Sequence, residues 1–290
     1  MTAFQEIWAP WLIGPFLWFA GIAGMGSVAY VILKWIGVEE RRRELSWTLL
    51  ISMALALVFV VGDLSRPWNV ASAIMSAVFG GTFGWTRSWM AVGIVLLLIG
   101  LLLTLLLALR NSGVKALAPL TDAKWFEALL ALVGIAITIY SGFLIAAAPG
   151  VPFWNTPLLP VLWIISASLC AVALVKLLIH HEAVAKAATR YGVALDVAEF
   201  LAIFALINLA LYGGNIAARQ SAHALAYGEL APIFWVGLVG IGVVIPLLLG
   251  LVMLKKENKY LGVVAAVLAL IGALLLRVLV LQAGIFEPIT

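Results

Sequence analysis

The sequence predicts an all-α integral membrane protein of about eight transmembrane helices, arranged as two packed four-helix bundles. Three observations carry the prediction. Of the 290 residues, 65% are hydrophobic and only 10% charged, whereas a soluble domain is near half apolar and a quarter charged. Mean hydropathy is +1.19, so a soluble fold would lack the polar groups to cover its surface. Apolar runs long enough to cross a bilayer, about 20 residues each, recur along the whole chain, and the basic residues between them alternate in density.

The runs are 11–36, 45–61, 89–109, 125–148, 158–179, 193–217, 232–254 and 260–281. The second is the shortest and ends in Gly62-Asp63-Leu64-Ser65-Arg66-Pro67. Residues 68–83 are moderately apolar and rich in small side chains, which predicts an interfacial or re-entrant helix rather than a ninth span. Residues 1–10 hold no Lys or Arg, and the first run is long enough to remain as an anchor rather than a cleaved leader. Positions 1–290 thus read as one polytopic membrane domain with no soluble domain.

Orientation follows from charge, because cytoplasmic loops are enriched in Lys and Arg. Thirteen of the seventeen Lys and Arg fall on one side: Lys34, Arg41, Arg42, Arg43, Arg110, Lys115, Lys124, Lys176, Lys186, Arg190, Lys255, Lys256 and Lys259. The other side holds Arg66, Arg87 and Arg219, and Arg277 lies within the last run. Both termini are therefore expected to be extracytoplasmic, with residues 63–66, 149–157 and 219–229. A prokaryotic plasma membrane is the expected location.

Cys170 is the only cysteine, which excludes an intrachain disulfide, a cysteine-ligated zinc site and an iron–sulfur cluster held by this chain alone. His180 and His181 follow the fifth run, and His223 lies in an outer loop. With no histidine in mid-span, axial ligation of a haem b is not expected.

Charges inside a span are costly and mark function or an internal partner. Arg277 lies deep in the eighth run, and Asp63, in the same half of the membrane, is its expected partner. Glu127, Asp196 and Glu199 open the fourth and sixth runs near the inner face. Their simplest reading is solvation at favourable helix N-termini; the sharper one is a half-channel for protons from the inside. Tyr140, Ser141 and Asn208 are neutral polar groups within spans. Gly21-Ile22-Ala23-Gly24-Met25-Gly26 predicts close helix packing, and most of the twelve Trp are expected to anchor helix ends.

Several segments together resemble the NrfD-like family, which includes the membrane subunit of polysulfide reductase. They are Gly21-Ile22-Ala23-Gly24, Asp63-Leu64-Ser65-Arg66-Pro67, Tyr140-Ser141-Gly142-Phe143-Leu144, Pro152-Phe153-Trp154-Asn155, and Leu276-Arg277 followed by Ala283-Gly284. They occur in family order along nearly the whole chain. The resemblance implies a quinone-reactive anchor without haem or flavin, which binds menaquinone or ubiquinone. It implies docking of a ferredoxin-like iron–sulfur subunit on the extracytoplasmic face, and through it a molybdopterin catalytic subunit. Tyr140 matches a family tyrosine that hydrogen-bonds the quinone, and Asp63, Arg66, Trp18, Asn155 and Arg277 are the other expected quinone-site residues. The sequence departs from polysulfide-reductase members in helix one, where an Asn and a His of the family are matched by Gly14 and Leu17. The alternative from a different class is a secondary transporter or proton-conducting protein, which Pro246 in mid-span and Gly213-Gly214 late in the sixth run would suit.

Overall fold

The structure, a computed structural model, describes residues 8–63 and 89–287. Among these, eight helices are long and apolar enough to cross a membrane: α1 (Pro10–Trp35), α2 (Arg42–Gly62), α3 (Trp89–Asn111), α4 (Lys124–Ala146), α5 (Leu158–Leu178), α6 (Glu182–Tyr212), α7 (Ile233–Lys255) and α8 (Lys259–Gln282). The expected interfacial helix at 68–83, and Arg66 with it, lies outside the described residues.

The helices form two four-membered rings. α1 packs on α2, α2 on α3, α3 on α4 and α4 on α1; likewise α5 on α6, α6 on α7, α7 on α8 and α8 on α5. The seam between the bundles is made by α1 against α5 and α8, and by α4 against α5. α1 is thus the shared wall, which explains why its Phe16, Leu17 and Ala23 are fully buried in a protein whose outer surface faces lipid.

Small residues set the closest approaches. A Cβ at Gly24 would stand 2.6 Å from the Gly134 carbonyl oxygen of α4, and Gly242 and Gly272 face each other between α7 and α8. In hydrocarbon such backbone proximity replaces the hydrophobic drive as the source of helix association. The glycine run in α1 is therefore a packing element.

Helix ends are capped locally. Pro10 occupies the first turn of α1, where its missing N–H costs nothing, and Asn258 accepts from the Tyr260 and Leu261 amides to start α8. The chain ends lie together: the Glu287 amide donates to Gly150 O at 3.0 Å, and Trp8 stacks on Trp154 at 6.1 Å between ring centroids. Both described ends, the end of α2 at Asp63 and the loops after α4 and α6 thus share one face, called outer after the orientation expected from charge, with the basic loops on the other.

Three features depart from the sequence expectation. α6 begins at Glu182, well before the apolar run at 193, because Glu182–Gly192 is made of good helix formers but is too polar to register as membrane-embedded. Residues 219–229, expected as a loop, are mostly a short outer helix, Ile216–Ala226. Asn215 caps it by accepting from the Ala218 amide, and it packs Ala218, Ala222 and Leu225 inward. The outer half of α7, Ile233–Val244, is π-wound before α-helix resumes at Ile245. Pro246, which lacks an N–H, stands at that junction, and Gly237, Gly240 and Gly242 line the wide turns.

Gly134→Val tests the seam of the first bundle. Overpacking there should cost about 1–3 kcal/mol, read as a lowered unfolding midpoint in mixed detergent, while a valine at lipid-exposed Leu132 should change little.

Candidate functional site

Tyr140 lies six residues before the outer end of α4, about 9 Å along its axis. Its ring enters a notch at Gly93 of α3, where an added Cβ would overlap the phenol carbon and hydroxyl. The side chain is 4% exposed, and its hydroxyl has no hydrogen-bond partner among the described residues. A buried phenol without a partner forgoes a hydrogen bond. Among the described residues it is therefore a donor available to a ligand acceptor.

Asp63 closes α2 at the same outer end, and its Oδ1 accepts from the Ala9 amide at 3.0 Å. The carboxylate thus sits at the N-terminus of α1, where the helix dipole favours it. Burial nevertheless pushes its pKa up from 3.8 to about 6, with the Ala9 hydrogen bond opposing the shift.

Arg277 does not pair with Asp63, which corrects the sequence expectation. It is fully buried in the second bundle, where Nη1 donates to Ser166 Oγ at 3.0 Å and to Ala273 O at 2.7 Å. Its guanidinium carbon stands 5.6 Å from the Trp163 ring centre, and Nη2 lies 3.0 Å from where a Cβ at Gly21 would be. The nearby acid is Glu199, which interacts electrostatically with Arg277 and neighbours Ser166. The physical reason is topological: α8 borders α1, α5 and α7 and does not border α2, whose end carries Asp63.

Glu127, Asp196 and Glu199 are 6%, 4% and 3% exposed, so none is the solvated surface acid of the simpler reading. Glu127 is locked in place. It pairs with Lys34 Nζ at 2.7 Å and accepts from Trp35 Nε1 at 2.7 Å. It belongs to the first bundle, apart from the other two. Asp196 and Glu199 stand one turn apart on α6, and Asp196 Oδ1 and Glu199 Oε1 are buried without partners among the described residues, as are Trp163 Nε1 and Arg277 Nε and Nη2. Beside Asp196, a void of about 20 Å³ bounded by Lys176, Gly192 and Pro246 has room for a water molecule.

The remaining expected residues are dispersed. Trp18 Nε1 is buried without a partner among the described residues; six residues before Gly24, it lies about 120° around α1 from the face that meets α4. Trp18 and Tyr140 therefore do not converge. Asn155 Nδ2 donates to Ala146 O at 2.8 Å and so caps α4. Gly14, in a slot where the family carries a polar residue, abuts Val278, whose methyl would be 2.7 Å from a Cβ there. Leu17 is fully buried, so neither slot offers a polar group. His223 is exposed beside Tyr227. A separate outer cavity of about 770 Å³, walled by Trp8, Val151, Trp154, Leu281, Gln282 and Phe286, does not include Tyr140.

Sequence reasoning missed Lys34, Ser166 and Lys176. The charge pattern marks Lys34 and Lys176 only as interfacial cations. The available signal was the i, i+3 spacing of Asp196 and Glu199, which puts two acids on one face of a span and calls for cationic or hydroxyl partners on the facing helices.

The fold and these groups define a polytopic α-helical membrane protein with a buried neutral phenol in the outer half of one bundle and a buried cluster of charged groups in the other. The chain belongs to the family described as Polysulphide reductase, NrfD, which matches residues 2–288. It is 27% identical over 298 residues to the C subunit of polysulfide reductase from Wolinella succinogenes, covering 94% of this protein and 93% of that one. It is also 33% identical over 183 residues to protein NrfD of Escherichia coli, covering 59% of this protein and 56% of that one. A NrfD homolog of Haemophilus influenzae is 27% identical over 167 residues, covering 54% and 52%.

Two outcomes are expected. Arg277→Met should cost roughly 3–5 kcal/mol by stranding a buried acid, and Arg277→Met/Glu199→Gln should recover much of it in detergent unfolding, whereas adding Asp63→Asn should recover none. Because the folded-state pKa of Asp63 lies above its unfolded value, ionising it opposes folding. Its contribution to stability is present below about pH 4, falls as pH rises to about 6, and stays lost above that. That slope should vanish in Asp63→Asn.

Proposed function

We propose that this chain is the membrane subunit of a respiratory oxidoreductase complex, exchanging electrons and protons between a membrane quinone and an iron–sulfur partner. The observation that carries the reading is the Tyr140 phenol, buried in the outer half of the first bundle with its hydroxyl unpaired among the described residues. Family membership supports it, as does the polysulfide reductase relative that matches this protein over nearly its full length.

A quinone bound there would supply two-electron, two-proton chemistry between its quinol and quinone forms. The protein's own part is to hold and to move protons. Tyr140 donates a hydrogen bond to a carbonyl oxygen of the bound ring, which fixes its position without placing a charge in the apolar bundle. Asp63, at the mouth of the same bundle, exchanges protons with the outer aqueous phase; with a pKa of about 6 it can do so near neutral pH. Arg66, three positions after Asp63 in the sequence, remains an expected residue of the site and lies outside the described residues. Trp18, Asn155 and Arg277 serve the scaffold instead: Asn155 as a helix cap and Arg277 as the charge that organises the second bundle.

The partner of this reading is a ferredoxin-like iron–sulfur subunit on the face that carries both chain ends, linked to a molybdopterin catalytic subunit. The basic loops then face the cytoplasm. Asp196 and Glu199, with Lys176 and Arg277 at either end, are the acids of an inner proton route, and Glu127 is not part of it.

Tyr140→Phe should weaken binding of the fluorescent quinone analogue 2-heptyl-4-hydroxyquinoline N-oxide by roughly 2- to 12-fold, the worth of one hydrogen bond of about 0.5–1.5 kcal/mol. Unchanged quenching titrations would remove the tyrosine from the site. For orientation, Tyr227→Cys should react with an impermeant maleimide on intact cells and Glu257→Cys only after lysis, the native Cys170 being fully buried. Purification should bring down iron–sulfur and molybdenum-containing partners, whereas a transporter would run without them. If Asp196→Gln and Glu199→Gln left the proton-to-electron ratio of the reconstituted complex unchanged, the inner route would be discarded.

A further inference from the structure

We infer that Gly93 is a positioning residue for the quinone reaction, acting through Tyr140; the inference rests on the reading of Tyr140 given above. The only residue that lets the phenol occupy its observed place is one without a side chain. An added Cβ at Gly93 would coincide with the phenol carbon and hydroxyl of Tyr140, so even alanine requires the ring to move or α3 to withdraw.

Withdrawal is opposed from both sides of the contact. One turn outward on the same pair of helices, Trp89 of α3 stacks on Phe143 of α4 with ring centroids 5.2 Å apart and planes within 8°. Two turns inward, Gly100 of α3 admits Ile137 of α4, whose Cδ1 would be 2.7 Å from a Cβ there. α3 is thus pinned to α4 above and below the notch, and a methyl group at position 93 is accommodated by displacing the phenol. The hydroxyl, which makes no bond to the described residues, has nothing of its own to hold it in place. The notch does that instead.

Other glycines of the spans face backbone or the ends of flexible side chains. Gly24 meets Gly134, Gly242 meets Gly272, and Gly14 meets a Val278 methyl. Gly21 meets Nη2 at the end of the long Arg277 side chain, where a small shift suffices, whereas at Gly93 the added Cβ would coincide with the rigid Tyr140 ring and its hydroxyl, which makes no bond among the described residues. Its role is therefore specific to that hydroxyl, and the consequence of substitution is a misdirected hydrogen bond.

The test uses the full chain in lipid nanodiscs, with 2-heptyl-4-hydroxyquinoline N-oxide as the probe. Gly93→Ala should raise its dissociation constant about tenfold in the wild-type background and by less than twofold in Tyr140→Phe, because the hydroxyl it misplaces is already gone. An ultraviolet resonance Raman difference spectrum, wild type minus Tyr140→Phe, isolates the Tyr140 ring modes; these should shift when the pair is compared in the Gly93→Ala background. Equal losses in both backgrounds, or unshifted ring modes, would overturn the inference. Should Gly93→Ala not fold, Gly93→Ala/Tyr140→Leu should, since it removes the obstructed ring; failure of both would assign Gly93 to packing alone and overturn the inference too. If Tyr140→Phe binds the probe as wild type while the Raman shift is present, the quinone reading of Tyr140 fails and the Gly93–Tyr140 contact stands.

Discussion

Arg277 imposes the constraint on which the rest of the structure depends. A permanent cation with no exposure, about five residues inside a membrane-spanning helix, is tolerated only where protein replaces water around it. That requirement gathers four helices. α5 supplies Ser166 and the face of Trp163, α6 supplies Glu199, α8 supplies its own Ala273 carbonyl, and α1 supplies the space, because Gly21 has no side chain where Nη2 lies. Seven residues earlier on the same face of α1, Gly14 makes room for Val278, the next residue of α8. The glycines of α1 therefore have a cause: one guanidinium and its helix must fit against that wall. Two bundles become one body at this seam.

The spans were legible because hydrocarbon is an unforgiving solvent and twenty apolar residues have few other uses. What escaped were elements whose signal is amphipathic or dependent on tertiary contact. The polar first third of α6 and the outer helix Ile216–Ala226 look like loops to a hydropathy scan, yet one has strong helix formers and the other an asparagine cap. The π winding of α7 is not written in any local pattern beyond its glycines and Pro246. For the site, Arg277 was singled out by its position inside a span and Tyr140 by the family resemblance, but their surroundings were not. Asp63 was the nearest acid to Arg277 in membrane depth, and depth is what a sequence reveals; lateral neighbourhood is decided by which helices adjoin. Glu127 shows the same blindness from the other side. Its partner Lys34 is 93 positions away in the chain, and only the α1–α4 contact brings the two within 2.7 Å.

The resulting division of polar groups follows a physical logic. A neutral ring with carbonyl oxygens is best held by a neutral donor, since a full charge beside it would have to be desolvated and would bind water or counter-ions in its place. The first bundle meets that condition in its outer half, where Tyr140 is polar but uncharged and, among the described residues, the one titratable acid, Asp63, stands at the rim. In the second bundle the buried Arg277, Glu199 and Asp196 and the half-buried Lys176 gather as charged groups that can compensate one another.

This separation makes α1 the element common to both chemistries. One of its faces holds the Gly24–Gly134 contact with the tyrosine-bearing helix, and another holds the Gly21 recess for Arg277. Those positions are three residues apart, less than one turn. No contact joins the buried charge cluster to Tyr140, so α1 is the element through which the two regions adjoin. Packing this tight transmits displacement rather than absorbing it. The absence of side chains at both contacts leaves nothing compressible between the backbone of α1 and its two neighbours.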